Sequence, residues 1–472
     1  MIDLIIVIIY FSIMLFVGWR SRHQSADSYW VAERRYGSAR ITISLVTTIF
    51  GASSTVGLIG LGYSRGLTGA WWSLIGGIAL IPFAIFLAPR VRNLGVYTLP
   101  DILKKSYGER VAIPAGLMIA VAWCGVVAAQ LIAGARLLEG LFSFDSQWAL
   151  LMVSIVFTLY TYWGGQLSVI RTDFWQFFLF MGGLFIAFGF LAQSSDSFSI
   201  LLKHIPQKHL DFPISSEFGW YEVLAFYPLI VGLPYLVGPD IYSRVLCARN
   251  DGVARRAALQ ASMIVIPLSL ILALFGILAH ARFPGIPAET ALPSVLKILI
   301  PIGIKGLIAA GFLGAIMSSA DTCLISASTI LSLNIIGPAF RIPERKHLGI
   351  TKLMVILLGV AAWLIASRQK GIISSLLLGY TVFVGGVVLP TLATFFKDNL
   401  KITSWGAFWA IIFGGGTAIL AKFNNGVILK AIITVPVQEF LKTVLGPRYM
   451  SILPVIISLV VMTGISRFTR KS

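Results

Sequence analysis

Charge is what this sequence has least of. Only 12% of its 472 residues are charged and 57% are hydrophobic, whereas about a quarter of a soluble domain is charged. Too little charge is available to solvate the surface of a soluble protein of this size. Cysteine is also scarce: Cys124, Cys247 and Cys323 all fall in or at the edge of apolar runs, so neither a disulfide framework nor a CxxC metal site can be built. The five histidines (His23, His204, His209, His280, His347) form no HExxH cluster, and no GxSxG or Walker-type loop occurs. An enzyme of those classes is excluded. No hydrophilic stretch is long enough for a soluble domain, the longest lying near 194–218 and 422–449.

What is present is a succession of apolar runs, each long enough for a helix to cross a hydrocarbon core of about 30 Å. Thirteen are counted, near 2–19, 39–63, 68–89, 111–142, 147–163, 170–193, 219–247, 254–281, 303–337, 350–367, 371–396, 405–421 and 450–466. The expected fold is an all-α membrane protein of about thirteen transmembrane helices, forming a single membrane domain. Its parts would be an extra N-terminal helix and loop (1–38), two five-span blocks (39–193 and 219–397) and C-terminal helices (398–472).

The net charge of +18 reads as topology rather than nucleic-acid binding. With the N-terminus outside, Lys and Arg outnumber those of the opposite face roughly two to one on the cytoplasmic side, as the positive-inside rule requires. The first run has no basic residue before it and is followed by Arg20 and Arg22, so it reads as a retained helix rather than a signal peptide. The expected location is the cell's inner (plasma) membrane, with the C-terminus in the cytoplasm.

Two runs are interrupted. The second, LVTTIFGASSTVGLIGLGY (45–63), carries Gly51, Ser53 and Ser54; the seventh, VGLPYLVGPD (231–240), carries Pro234 and Pro239. Unwound backbone at membrane depth is tolerated only where protein or a watery cavity surrounds it. The breaks lie five spans apart, the spacing of transporters built from two inverted five-helix repeats. In those, each repeat begins with a broken helix and the ligands sit at the breaks.

In the ninth run, AIMSSADT (315–322) places two serines, an aspartate and a threonine within five positions. At helical spacing Ala315, Ser318, Ser319 and Thr322 share a stripe bordered by Asp321, and hydroxyl and carbonyl oxygens are ligands for a hard cation. Asp321 reads as the only acidic residue deep within a span, where a carboxylate normally faces the bundle interior. Asp173, in SVIRTDFWQFF, reads either as an interfacial charge or as a partner beneath the serine stripe.

At these residues the chain resembles the sodium:solute symporter family, which includes the bacterial sodium/proline, sodium/pantothenate and sodium/galactose carriers. MSSADT (317–322) is similar to that family's sodium-site helix, AQLIAGARLLEGLF (129–142) to its GARL-type segment, and YWGGQLSVIRTDFWQ (162–176) to its GG…TD…Q segment. The resemblance implies a LeuT-type fold, with repeats formed by the second to sixth and the seventh to eleventh spans. It implies a main sodium site on the backbone oxygens of Thr47, Phe50 and Ala315 and the hydroxyls of Ser318 and Ser319. A second sodium site would fall on Asp173, Ser318, Asp321 and Thr322.

Solute contacts would come from Gly51, Ala52, Ser53 and Ser54 at the break, and from Gln130 and Tyr235. At positions where the galactose carriers bind sugar the chain has Ser73, Val231 and Pro234, which disfavours a sugar, and Ile49 stands where the proline carriers have an aspartate, which counts against proline itself. Arg136, in the GARL-type segment, is assigned a structural or gating role.

The function so implied is sodium-coupled symport of a small organic solute of amino-acid, vitamin or carboxylate type, by alternating access. Sodium, the solute and the lipid bilayer would be its partners, with no nucleic acid and no obligate protein partner. The alternatives are a proton-coupled symporter of the same fold and a solute sensor that does not transport.

Overall fold

The computed structural model describes residues 1–193, 205–369, 371–422 and 427–470. Residues 194–204 of the first hydrophilic gap, with His204, and 423–426 of the second lie outside the described residues. The described chain is helical, with only isolated β-bridges, Tyr36 to Ala248 and Ser215 to Phe218.

Among the described residues eleven helices are long and apolar enough to cross a membrane, and the short apolar helix Ser38–Ile49 adds to them. Two of the eleven are each a pair of spans joined at a turn. Ser53–Asn93 turns at Gly66, whose φ is +69°, and Ser146–Gln193 departs from helical geometry at Gly165. Dividing them there gives the thirteen expected spans. Gly165 has φ +54°, and a Cβ on it would lie 2.4 Å from the Tyr29 ring. Tyr29 is itself tied to the fifth span by a 2.9 Å bond from its hydroxyl to the Thr161 carbonyl. Only glycine fits both the dihedral and the space.

The spans differ in how much lipid they face. In the ninth, Ile304–Ile330 continuing through Leu331–Ile336, the whole apolar window is buried, against a third of it in the first span, Ile2–Arg20. The ninth is therefore the central helix, packed on the first, second, fourth, fifth, sixth and tenth spans. The first span is fastened to it by Asp3, whose carboxylate accepts 2.8 Å bonds from the amides of Gly303 and Gly306. These are unpaired donors at a helix N-terminus, where a negative charge is favoured. FGGGT (413–417) lets two helices approach closely through small residues: a Cβ on Gly414 would meet the Gly385 carbonyl at 2.0 Å.

The second span runs Ser38–Ile49, leaves the helix at Phe50 (ψ +44°) and resumes as a π-helical turn, Ser53–Gly57, leading into Leu58–Arg65. Ser53 and Ser54 belong to the resumed helix, so the break is Phe50 to Ala52. In the seventh, Glu222–Gly232 is π-helical and continues through Leu233–Val237. The chain breaks at Gly238 (ψ +129°) and restarts as Pro239–Leu246. Pro234 is accommodated within the first half. Pro239 starts the second half, where its missing N–H leaves no bond unmade.

Candidate ion and solute site

A helix that ends at Ile49 leaves the carbonyls of its last turn, Thr47 through Phe50, without intrahelical donors. The amide of Ala52, which a continuous helix would direct at Thr48, instead donates to Gln130 Oε1 at 2.7 Å. Phe50 is held in place by its ring, stacked on Phe180 with centroids 6.1 Å apart. Gly51 is so close to the ninth span that a Cβ would lie 2.6 Å from Ser319 Oγ and 2.6 Å from Gln130 Oε1. The break itself thus lies against a buried serine of the ninth span.

The rest of the stripe makes different contacts. Ser318 Oγ donates to Asp173 Oδ1 at 2.6 Å, and Ser44 Oγ donates to Asp173 Oδ2. Asp173 is fully buried, so it is not an interfacial charge reaching water. Its charge partner is Arg244, in the second half of the seventh span, at 3.3 Å, with both side chains wholly inaccessible. Arg244 also donates to Thr48 Oγ1 at 3.0 Å and to Thr322 Oγ1, while Thr322 donates to the Ser318 carbonyl at 2.7 Å. Asp321 points elsewhere: its Oδ1 accepts from Thr161 of the fifth span at 2.6 Å, and its Oδ2 has no hydrogen-bond partner among the described residues. Ala315 is buried in the same helix.

Gly51, Ser53, Ser54, Gln130, Tyr235 and Ser319 line one narrow cavity between the two breaks, in which the space open to the centre of a water molecule is about 20 Å³. Ala52 is not among its walls. Thr48, Tyr380 and Asp240 complete the polar lining. A second cavity, walled by Trp30, Tyr97, Tyr242 and Ser326, lies on the other side of the Pro239–Tyr242 turn. Arg136 is away from both: it is over a third exposed and pairs with Glu139 at 3.2 Å, an exchange with solvent worth little.

The expectation that Asp321 is the only acidic residue deep in a span is corrected by this geometry. Asp173 and Asp321 are both fully buried, and Asp240 lines the cavity. The sequence reading missed Asp240 and Arg244. The signal was Pro239: a helix restarting there puts Asp240 at the depth of the break and Arg244 one turn further on.

Two discontinuous helices meeting at their breaks around a polar cavity, inside a bundle of spans, are the architecture of a secondary transporter. Among solved structures the fold is similar to an outward-open Na+-coupled sialic acid symporter, with a TM-score of 0.79 and 17% identity over 99% of this chain and 98% of the other. It is also similar to a nucleobase-cation-symport-1 family transporter in a closed conformation, with a TM-score of 0.58 and 12% identity over 93% and 96% of the two chains. The fold is accordingly the LeuT type.

The chain belongs to the sodium:solute symporter family, whose profile matches residues 29–414. It is 25% identical to a sodium/glucose cotransporter of Vibrio parahaemolyticus, over 89% of this chain and 85% of that protein. It is likewise 25% identical to the high-affinity proline transporter of Bacillus subtilis, over 86% and 89%. It is a multi-pass solute symporter and not an enzyme.

Proposed function

We propose that the protein imports a small organic solute together with sodium by alternating access, in the plasma membrane, with its N-terminus outside. The observation that carries this reading is the approach of the second span's break to the ninth span at Gly51 and Ser319. In it, sodium is held by the carbonyls of Thr47, Phe50 and Ala315 and the hydroxyls of Ser318 and Ser319, an all-oxygen set of the kind a hard cation takes. Binding there fixes the unwound segment, and the same segment walls the solute cavity, so each ligand favours the other by roughly 1–3 kcal/mol. The cavity beyond the Pro239–Tyr242 turn lies on the cytoplasmic route that rocking of the bundles would open.

The proposed stoichiometry is one sodium per cycle. The second position, Asp173 with Ser318 and Thr322, already contains a cation: the Arg244 guanidinium pairs with the first and bonds the last. One charge moving through 100 mV releases about 2.3 kcal/mol, and each tenfold of accumulation requires about 1.4 kcal/mol. Voltage acting on one ion then sustains roughly 40-fold accumulation of a neutral solute.

The test is counterflow in proteoliposomes with and without sodium, across amino acids, pantothenate, choline, short carboxylates and sugars. Sodium-dependent exchange is the expected result. Uptake that ignores sodium and collapses with a protonophore would replace sodium by a proton, with Asp321 as its carrier. Binding without exchange would make the protein a sensor.

A further inference from the structure

Asp240 is the only charged side chain among those lining the cavity between the two breaks. Its carboxylate sits beside Gly238, where a Cβ would come within 2.6 Å of Oδ1. Among the described residues no side chain donates to it or forms an ion pair with it. Arg244 follows one turn later on the same helix, but its guanidinium is engaged by Asp173, Thr48 and Thr322. No Lys, Arg or His lines the cavity.

The backbone amides of Asp240 and Ile241, at the start of Pro239–Leu246, donate to the carboxylate, but no side chain supplies it with a counter-charge of its own, and a charge so placed at membrane depth is expensive. Where it faces a ligand cavity, the group that relieves it is a cation arriving with the ligand. A solute whose only charge is negative meets like-charge repulsion there, and a sugar leaves the carboxylate unpaired. We propose that the transported solute carries a positively charged nitrogen and that Asp240 receives it. The inference rests on the cavity being the solute site of a symporter.

The remaining walls suit such a solute. Tyr235 and Tyr380, both in the lining, are aromatic residues of the kind that attract a cation, and the Tyr235 ring is fixed against Gly76, where a Cβ would lie 2.4 Å from it. Gln130 has its Oε1 committed to the Ala52 amide, so its side-chain N–H groups remain to donate to the polar or carboxylate end of a zwitterion. The chemistry is shared by protonated amines, which can bond Asp240 directly, and by quaternary ammonium groups, which can only pair with it.

The purified full-length protein would be tested by thermal stabilisation in sodium with matched probes: L-proline against cyclopentanecarboxylate, L-alanine against propionate, putrescine, choline, and galactose. The expected result is binding confined to nitrogen cations, with choline against putrescine separating the two sources. Asp240→Asn should weaken that binding by about 10- to 100-fold, the loss of one charge-assisted hydrogen bond. Its stabilisation by sodium alone should persist, showing that the variant folds. Asp240→Glu should keep the preference for nitrogen cations.

Equal binding of the amine-free partners, no binding of any nitrogen cation, or unchanged discrimination in Asp240→Asn would each overturn the proposal. Gradient-driven uptake separates the two readings. Nitrogen cations bound through Asp240 but never driven by sodium would remove symport and leave the anchor. Sodium-driven uptake of carboxylates or sugars would do the reverse.

Discussion

Two oxygen-rich places adjoin on the ninth span, and they differ in charge. At one, where Gly51 packs on Ser319, the side chains at the contact are neutral, and the proposed sodium ligands are carbonyls and hydroxyls. At the other, reached through the adjacent residue Ser318, the carboxylate of Asp173 is satisfied by two serines and a guanidinium. Ser318 belongs to both, since it lies in the proposed sodium set and donates to Asp173. The comparison teaches that oxygen count alone does not make an ion site. A neutral cage gains from a mobile cation, whereas a carboxylate already paired with a tethered one gains nothing further until the tether moves.

The sharpest way to break this comparison is to unpair the second place. Asp173→Asn leaves Arg244 buried without its counter-ion, and the loss of one member of such a pair costs about 3–5 kcal/mol. A fall in unfolding temperature should show it, and the double variant Asp173→Asn with Arg244→Gln should recover most of the loss. A single Asp173→Asn as stable as the parent would mean that the pair is not held as described.

Next in size is Gly51→Ala, which forces a methyl group against Ser319 and Gln130. Overpacking of this kind costs about 1–3 kcal/mol, and transport should be lost while the protein is still recovered folded.

Ser318→Ala or Ser319→Ala removes one ligand of the neutral cage. The sodium concentration for half-maximal uptake should rise about tenfold or more, the worth of one hydrogen-bond-scale contact of roughly 1.4 kcal/mol, with abundance little changed. Equal loss of abundance and sodium response would return these serines to packing. In wild-type protein the sodium dependence should have a Hill coefficient near one. A variant such as Arg244→Gln that still folds should raise it, because Asp173 then has room for an ion. The smallest effect belongs to Arg136→Ala, whose exposed pair with Glu139 contributes at most about 1 kcal/mol; uptake should be unchanged.

Much of this was legible beforehand. The spans follow from apolar length, and the break in the second span follows from Gly51. The hydroxyl stripe follows from the spacing of Ala315, Ser318, Ser319 and Thr322. What escaped was charge pairing. Asp321, singled out because it lies mid-span, bonds Thr161 on the fifth span rather than the stripe's other partners. Asp173, readable as interfacial, is at the centre of a buried network. Arg244 and Asp240 gave no periodic signal, because they sit in a half-helix of eight residues, Pro239–Leu246, too short for a pattern to emerge.

The sequence by itself determined a bundle of membrane spans, the two places where helices must open, and the helix that supplies hydroxyl groups, since each depends on residues near one another in the chain. Tertiary structure alone decided that Arg244 faces Asp173 while Asp240 faces the cavity. The reason is physical: a buried charge is stable only beside its counter-charge, and which charges become neighbours is set by how separate helices cross, a relation between the sixth and seventh spans that neither span's own residues encode.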